Sequence, residues 1–336
     1  MRFSIALVFD TYRQEWSENQ MSLLSVVIPA YNEGGMIHKT ADVVSSLLEE
    51  HQISYEIIFV NDGSKDNTWD EIVLASNRNP NVRGVCFSRN FGKEGAVLAG
   101  LEHAHGDCCA VMDCDLQHPP ATLIEMYYLW KEGFEVVEGV KASRGRESLI
   151  HKMFVKTFYH IISNSTGIDM SRASDFKLLD RKVVDTFLSL PERHIFFRAL
   201  SSWVGYRTTY VEFEVQEREI GESKWSFKSL LRYAINNITS FSAFPMQLVT
   251  GCGVIFFIFS VVFGIFSLCK YFMGHSLEGF TTVIILLLFI GSILMFGIGI
   301  SGYYIAKIYE EVKLRPRYIV SETTKGLDIK KDDCNK

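Results

Sequence analysis

Val111-Met112-Asp113-Cys114-Asp115-Leu116-Gln117-His118-Pro119-Pro120 is where an apolar run stops at two carboxylates. In an extended backbone alternate side chains share a face, so Asp113 and Asp115 point the same way and Gln117 follows one step on. Two such acids side by side either force one to keep its proton or gather a cation. A hard divalent ion would take their oxygens as ligands and carry phosphates. The plainer alternative is a strand end whose solvated acids lie in a turn closed by Pro119-Pro120, and the surrounding chain has to choose between the two.

Working outward, short apolar runs alternate with amphipathic stretches from Leu23 onward. The pattern predicts an α/β fold of βα units around a mostly parallel sheet. Strands are expected at 24–29, 56–60, 82–88, 108–112 and 134–140, and helices at 36–50, 68–77 and 94–105. The opening stretch then leaves the carboxyl end of strand four, the edge at which open α/β sheets bind ligands. Tyr31-Asn32-Glu33 and Asn61-Asp62-Gly63-Ser64 occupy the matching ends of strands one and two. Asp62 either shapes a turn or caps a helix, or accepts from a nucleobase or ribose; Glu33 is equally open. Gly34-Gly35 allows close backbone approach to a ligand. Arg89-Asn90-Phe91-Gly92-Lys93 brings two cations to the same rim, as a diphosphate contact or as a solvated loop. No G-x-G-x-x-G follows strand one and no G-x-x-x-x-G-K-[ST] occurs, which argues against a nicotinamide site and a P-loop.

Composition divides the chain in two. A hydrophobic share of 48% with 22% charged residues requires soluble and membrane characters to be segregated. A net charge of -5 and the lack of a long Lys/Arg run give no nucleic-acid signal, so no nucleic-acid partner is expected. The seven cysteines include no C-x-x-C pair and read as reduced residues of the core or the membrane. Residues 247–269 and 280–306 carry no charge, and each exceeds the roughly 20 residues that span a bilayer. Lys224, Lys228 and Arg232 precede them and Lys307, Lys313, Arg315 and Arg317 follow, so both flanks are expected in the cytoplasm with the hairpin tip outside. Apolar residues within 148–163 repeat at three and four, as either a surface helix on the sheet or a helix in the membrane interface. A similar stripe at 224–244 runs straight into the first span and favours the interface. The expected organisation is an extension at 1–21, a cytoplasmic catalytic domain at 22–222, an interfacial amphipathic helix at 223–245, a two-span hairpin at 246–308 and a cytoplasmic tail at 309–336. Beyond Val320 the Lys- and Asp-rich tail is expected to be mobile.

VVIPAYNE, VNDGSKDNT, SRNFGKEGAVLAG, DCDLQHPP, SDFKLLDR and REIGESKW, in that order and followed by two spans, resemble the inverting nucleotide-sugar glycosyltransferases of family 2. More narrowly they resemble the polyprenyl-phosphate hexose synthases, over about residues 23–317. That resemblance implies a GT-A catalytic domain. It implies Pro29, Tyr31, Glu33 and Asp62 around the nucleoside, with Lys93 and Asp113 on the diphosphate side. Asp113, Asp115 and Gln117 would hold Mg²⁺ or Mn²⁺, and Asp115, Asp113 and Asp175 would be the catalytic acids, Asp175 facing sugar and acceptor. Arg218, Ser223 and Lys224 would help hold the acceptor phosphate, with Lys141, Arg144 and Arg146 as further cations for it. A lipid-anchoring role for these cations is compatible with the same location.

The chemistry fits those roles. Breaking the bond from anomeric carbon to diphosphate leaves negative charge that a metal can stabilise, and a phosphate monoester acceptor is already largely anionic at pH 7. Asp175 is therefore expected to orient the acceptor rather than deprotonate it. Processive relatives carry Gln-x-x-Arg-Trp where this chain reads Arg218-Glu219-Ile220-Gly221-Glu222-Ser223-Lys224-Trp225, so transfer of a single sugar is expected. The donor expected is UDP-glucose or a UDP-N-acetylhexosamine and the acceptor undecaprenyl phosphate, on the cytoplasmic face. GDP-mannose with a dolichyl or polyprenyl phosphate is the alternative pair. A non-catalytic membrane scaffold that binds nucleotide sugar is the alternative of another class. A homo-oligomer and a flippase acting downstream are further candidate partners.

Overall fold

The computed structural model describes residues 22–142, 174–191, 197–198, 203–214, 244–273, 279–324 and 327. Apart from two long apolar helices, the described chain forms an eight-stranded mixed sheet with helices on both faces. In chain order its elements are β1 (Leu23–Ala30), a 3-10 turn (Gly34–Met36), α1 (Ile37–Glu50), β2 (Ser54–Asn61), α2 (Thr68–Arg78), β3 (Val82–Phe87), α3 (Lys93–His103) and β4 (Cys108–Val111). They continue with α4 (Pro120–Lys131), β5 (Val136–Lys141), β6 (Lys177–Asp180), α5 (Arg181–Ser189) and β7 (Thr208–Phe213). Two long helices, α6 (Phe244–Phe272) and α7 (Phe280–Val312), precede β8 (Val320–Thr323).

Across the sheet the order is β7-β5-β6-β4-β1-β2-β3-β8. β1 pairs in parallel with both β2 and β4, and β2 with β3. The chain therefore winds one way from β1 and returns on its other side, which makes the gap between β1 and β4 the topological switch point. β1 is an almost uninterrupted apolar run because both of its faces are covered. Leu24, Val26 and Ile28 pack in one core layer with residues of α1 and α4, and Val27 packs in the other with residues of α3 and α5. On that second face Gly100 comes so close to β1 that an added Cβ would lie 2.1 Å from Val27 Cγ1. In α1, Ile37, Ala41, Val44 and Leu48 are buried at spacings of three and four. Pro120 opens α4, where its missing N–H costs nothing, and the Asp180 side chain caps α5 by accepting from the Lys182 N–H.

Three features differ from the sequence reading. β6, a strand the sequence reading did not contain, lies between β4 and β5 and runs antiparallel to both. That strand is four residues long and begins with a lysine, so it carries no apolar-run signal. β7, parallel to β5, was likewise unanticipated. Of the tail after Val320, expected to be mobile, the first residues instead form β8 (Val320–Thr323), antiparallel to β3 at the edge of the sheet, while 325–326 and 328–336 lie outside the described residues. Ser88 N–H donates to Ile319 O at 3.0 Å, Tyr318 stacks on Phe87 at 4.9 Å, and Trp69 Nε1–H donates to Glu322 at 3.0 Å. These tertiary contacts order a stretch too short and polar to declare itself.

α6 and α7 are 29 and 33 residues long, about 44 and 50 Å at about 1.5 Å per residue. Both exceed the roughly 30 Å of a bilayer's hydrocarbon core. Within them Val249–Phe266 and Phe289–Val312 are apolar enough to cross a membrane, and neither is covered by protein. Phe256 meets Phe289 at 5.3 Å, and a Cβ on Gly297 would lie 3.1 Å from Val249. Those two pairs run in opposite directions along the helices, as an antiparallel hairpin requires. The amphipathic stretches at 148–163 and 224–243 and the extension at 1–21 lie outside the described residues.

Candidate active site

The loops after β1, β2, β3 and β4 close on a cleft of about 280 Å³ at the switch point. Pro29, Ala30, Tyr31, Glu33, Asp62, Asn90, Gly92, Lys93, Ala96, Asp113, Cys114 and Asp115 line it. Its walls are cross-tied through backbone N–H groups that the turns leave over. Asn32 donates to Ser64 Oγ at 2.9 Å, Glu33 to Thr68 Oγ1 at 2.9 Å and Gly34 to Asp66 Oδ2 at 3.2 Å, while Lys65 N–H returns a bond to Asn32 Oδ1 at 2.9 Å. Asn32 and Leu116 both sit in the left-handed region, at φ 54° and 53°. Asn tolerates that region, but Leu does not without strain, which is concentrated here in the acidic turn itself. Gly63, at φ +61°, has no room for a side chain, since a Cβ would lie 2.3 Å from the Arg89 carbonyl carbon. The second and third loops therefore touch backbone to backbone.

Asp62 is buried, and its carboxylate is turned on the neighbouring loop. Oδ1 accepts from Phe91 N–H at 2.6 Å, and both oxygens receive Gly92 N–H at 3.2 and 3.0 Å. Burial raises its pKa, and the two N–H donors oppose that rise. It lines the cleft as expected, yet its visible work is to fix the loop that leads into Lys93.

Lys93, the first residue of α3, joins two acids. Its Nζ lies 2.5 Å from Asp113 Oδ1 and 3.1 Å from Asp175 Oδ2. Burial would lower its pKa, but the two carboxylates outweigh that and raise it. Burial likewise works to raise both acids; the Lys93 charge overrides it at Asp113, and Lys93 with Arg198 does so at Asp175, leaving both below the ordinary range. Asp175 reaches this rim through strand register. Val111 pairs with Lys177 across antiparallel β4 and β6, and two residues outward on each strand lie Asp113 and Asp175. Asp115 Oδ1 accepts from the Gln117 backbone N–H at 3.1 Å; the Gln117 side chain is not among those lining the cleft. Asp113 N–H donates to His118 Nδ1 at 3.3 Å, and the His118 ring is stacked on Phe176 at 4.7 Å.

The acidic pair suits a hard divalent ion. Both carboxylates face one cleft, and an ammonium already lies against one of them. Among the described residues no group of three His, Cys, Asp or Glu gathers to hold a metal. The remaining positions would thus fall to water and ligand phosphates, as Mg²⁺-type sites use them. The Cys114 thiol between the acids is buried and kept protonated by that burial, which leaves it outside such a set. Lys141 ends β5 at the same rim and is exposed. Arg144, Arg146, Arg218, Ser223 and Lys224 lie outside the described residues. Sequence reasoning missed Arg198, which grips Asp175, and the buried Lys177–Glu138 ion pair at 2.9 Å beneath it; an isolated Arg after Phe196-Phe197 carries no motif.

A family model for glycosyl transferase family 2 matches residues 25–187. An uncharacterized glycosyltransferase of Synechocystis sp. is 38% identical over 301 residues, which is 89% of this chain and 95% of that protein. The chain belongs to glycosyl transferase family 2. Another member, the bactoprenol glucosyl transferase of Shigella phage SfII, is 35% identical over 305 residues, 90% of this chain and 99% of that protein. Among solved structures, glucosyl-3-phosphoglycerate synthase from Mycobacterium tuberculosis, in complex with Mn²⁺, UDP and its product, is similar at 19% identity and TM-score 0.48, over 69% of this chain and 80% of that one. The mostly parallel, mixed sheet with its acidic turn after β4 fits the GT-A domain that the sequence resemblance implies. The protein is accordingly a glycosyltransferase, and two uncovered apolar helices equip it to associate with a membrane.

Proposed function

We propose that this family 2 enzyme transfers one hexose, with inversion, from a nucleotide sugar to undecaprenyl phosphate at the cytoplasmic face of a membrane, for use in cell-envelope glycosylation. The donor proposed is UDP-glucose or a UDP-N-acetylhexosamine. The observation that carries the reading is Lys93, whose one ammonium lies against both Asp113 of the acid pair in the cleft and the Asp175 carboxylate. The name of the Shigella phage relative, whose similarity includes the apolar helices, supports the lipid acceptor.

In this reading the exposed Tyr31 ring and the Pro29–Glu33 turn take the nucleoside, with Asp62 holding the opposite wall. Asp113 and Asp115 hold Mg²⁺ or Mn²⁺, with Gln117 completing the turn. When bound, that ion supplies positive charge to the departing diphosphate. Lys93 adds a second cation on the same side. Asp175 is ionised and clamped, so it orients the acceptor; a phosphate monoester needs little help to lose its proton near pH 7. Lys141, Arg144, Arg146, Arg218, Ser223 and Lys224 are proposed to receive the acceptor phosphate, and α6 and α7 to cross the bilayer as a hairpin with both flanks cytoplasmic. The test is incubation of the purified full-length protein in lipid with Mg²⁺, undecaprenyl phosphate and a panel of labelled nucleotide sugars. A lipid-linked hexose of inverted anomeric configuration from a UDP-sugar is expected. Product from GDP-mannose alone replaces the donor, and no lipid-linked sugar from any donor overturns the reading.

A further inference from the structure

Asp175 is held from two sides. Arg198 Nε donates to Oδ1 and a terminal guanidinium nitrogen to Oδ2, each at 2.6 Å, while Lys93 reaches Oδ2 at 3.1 Å. A two-point fork fixes both the position of a carboxylate and the plane of its oxygens, which a single ammonium does not. The Arg198 backbone is pinned in turn. Phe197 N–H donates to Glu94 Oε2 at 3.1 Å, and Lys177 Nζ donates to Arg198 O at 3.1 Å. The Phe197 ring packs edge-on against Phe187 at 6.0 Å and lies 5.4 Å from the Lys177 ammonium. Glu94 directly follows Lys93 in α3, and Lys177 stands two residues after Asp175 in β6. Residues close to Lys93 and Asp175 in the chain thus also hold the residue that forks Asp175.

We infer that Arg198 is a positioning residue for sugar transfer, setting the orientation of the Asp175 carboxylate, and that Glu94 and Lys177 keep Arg198 in place. The inference rests on Asp175 facing the transferring sugar and its acceptor. An anionic acceptor approaching a lone carboxylate would be repelled. With the fork in place Asp113 and Asp175 are matched by Lys93 and Arg198, and the carboxylate is preset instead of free to turn toward the incoming phosphate.

Full-length wild type, Arg198→Ala, Arg198→Lys, Glu94→Ala and Glu94→Gln, reconstituted in lipid with undecaprenyl phosphate and the donor that wild type accepts, test this through kcat, donor KM and nucleoside diphosphate affinity. For Arg198→Ala a kcat loss of about 100-fold is expected, the scale of a reacting group misplaced by about 1 Å, with donor KM and nucleotide affinity near wild type. Guanidinium ion added to that variant is expected to restore part of kcat. Arg198→Lys, with one point of contact, is expected to fall between wild type and Arg198→Ala. Glu94→Gln keeps an oxygen for the Phe197 N–H and is expected to retain more kcat than Glu94→Ala. A wild-type kcat in Arg198→Ala overturns the inference alone, as does nucleotide affinity falling in step with kcat. Wild type that makes no lipid-linked sugar overturns the functional reading, and this inference with it.

Discussion

Lys93 at the start of α3 sets its ammonium 2.5 Å from Asp113 Oδ1, in the turn after β4. Residues 20 positions apart in sequence thereby close one side of the cleft. An ammonium neutralises Asp113 as a metal ion would, but it offers hydrogen bonds in place of open coordination positions. Lys93→Met is expected to lower kcat by about 100-fold, the scale of losing one donor aimed at developing charge. It is also expected to weaken nucleoside diphosphate binding, as titration calorimetry with UDP and Mg²⁺ would read. Wild-type turnover in this variant would remove Lys93 from the diphosphate side.

Asp115→Ala takes away one of the two acids without touching the core, since the residue is only partly buried. Transfer is expected to fall by at least about 1,000-fold, with membrane insertion and thermal midpoint unchanged. Turnover that persists in wild type with excess chelator would refute the metal role.

Glu94 supplies the pH dependence. Burial, reinforced by the nearby Asp175 charge, pushes its pKa up to about 7 from 4.5. The folded protein therefore keeps a proton that the unfolded chain has lost. Its stabilising contribution is complete below pH 4.5 and is lost as pH rises through about 7. Glu94→Gln is expected to flatten the thermal midpoint across that window. A slope identical to wild type would assign the titration elsewhere. Asp175, held well below the usual carboxylate range by Lys93 and Arg198 against its burial, is expected to add no acidic limb to kcat between about pH 5 and 8.

Lys177 and Glu138 form an ion pair exposed to 0% and 1%. Removing one partner strands a buried charge, so Lys177→Met is expected to destabilise the domain by about 3–5 kcal/mol in urea unfolding. The double variant Lys177→Met, Glu138→Leu is expected to recover much of that loss. If both fall equally, the pair contributes nothing specific.

Tyr318 and its neighbours return the chain from α7 to the catalytic sheet. Tyr318→Ala removes the stack on Phe87 and a hydrogen bond to Glu102. A loss of about 1–3 kcal/mol is expected, with new proteolytic cleavage before β8. An unchanged digestion pattern would make the strap dispensable.

Much of the site was legible in local sequence. The βα alternation located β1 to β4, and with them the loops carrying Tyr31, Glu33, Asp62, Lys93, Asp113 and Asp115, because buried parallel strands are apolar runs that end at the binding edge. Charge-free stretches likewise marked α6 and α7. Resemblance, rather than periodicity, pointed to Asp175.

Tertiary structure alone decided what surrounds Asp175. Had β6 run parallel to β4, Asp175 would lie at the opposite edge of the sheet; the antiparallel pairing of Val111 with Lys177 puts it beside Asp113. The direction of a four-residue strand is not encoded in its own residues, since pairing depends on what both neighbours offer. The same holds for Arg198, whose role comes from Glu94 and Lys177 in distant elements, and for β8, which is a strand only because β3 leaves an edge to pair with. Local composition thus determined the rim and its acids, while strand register determined which acids face one another.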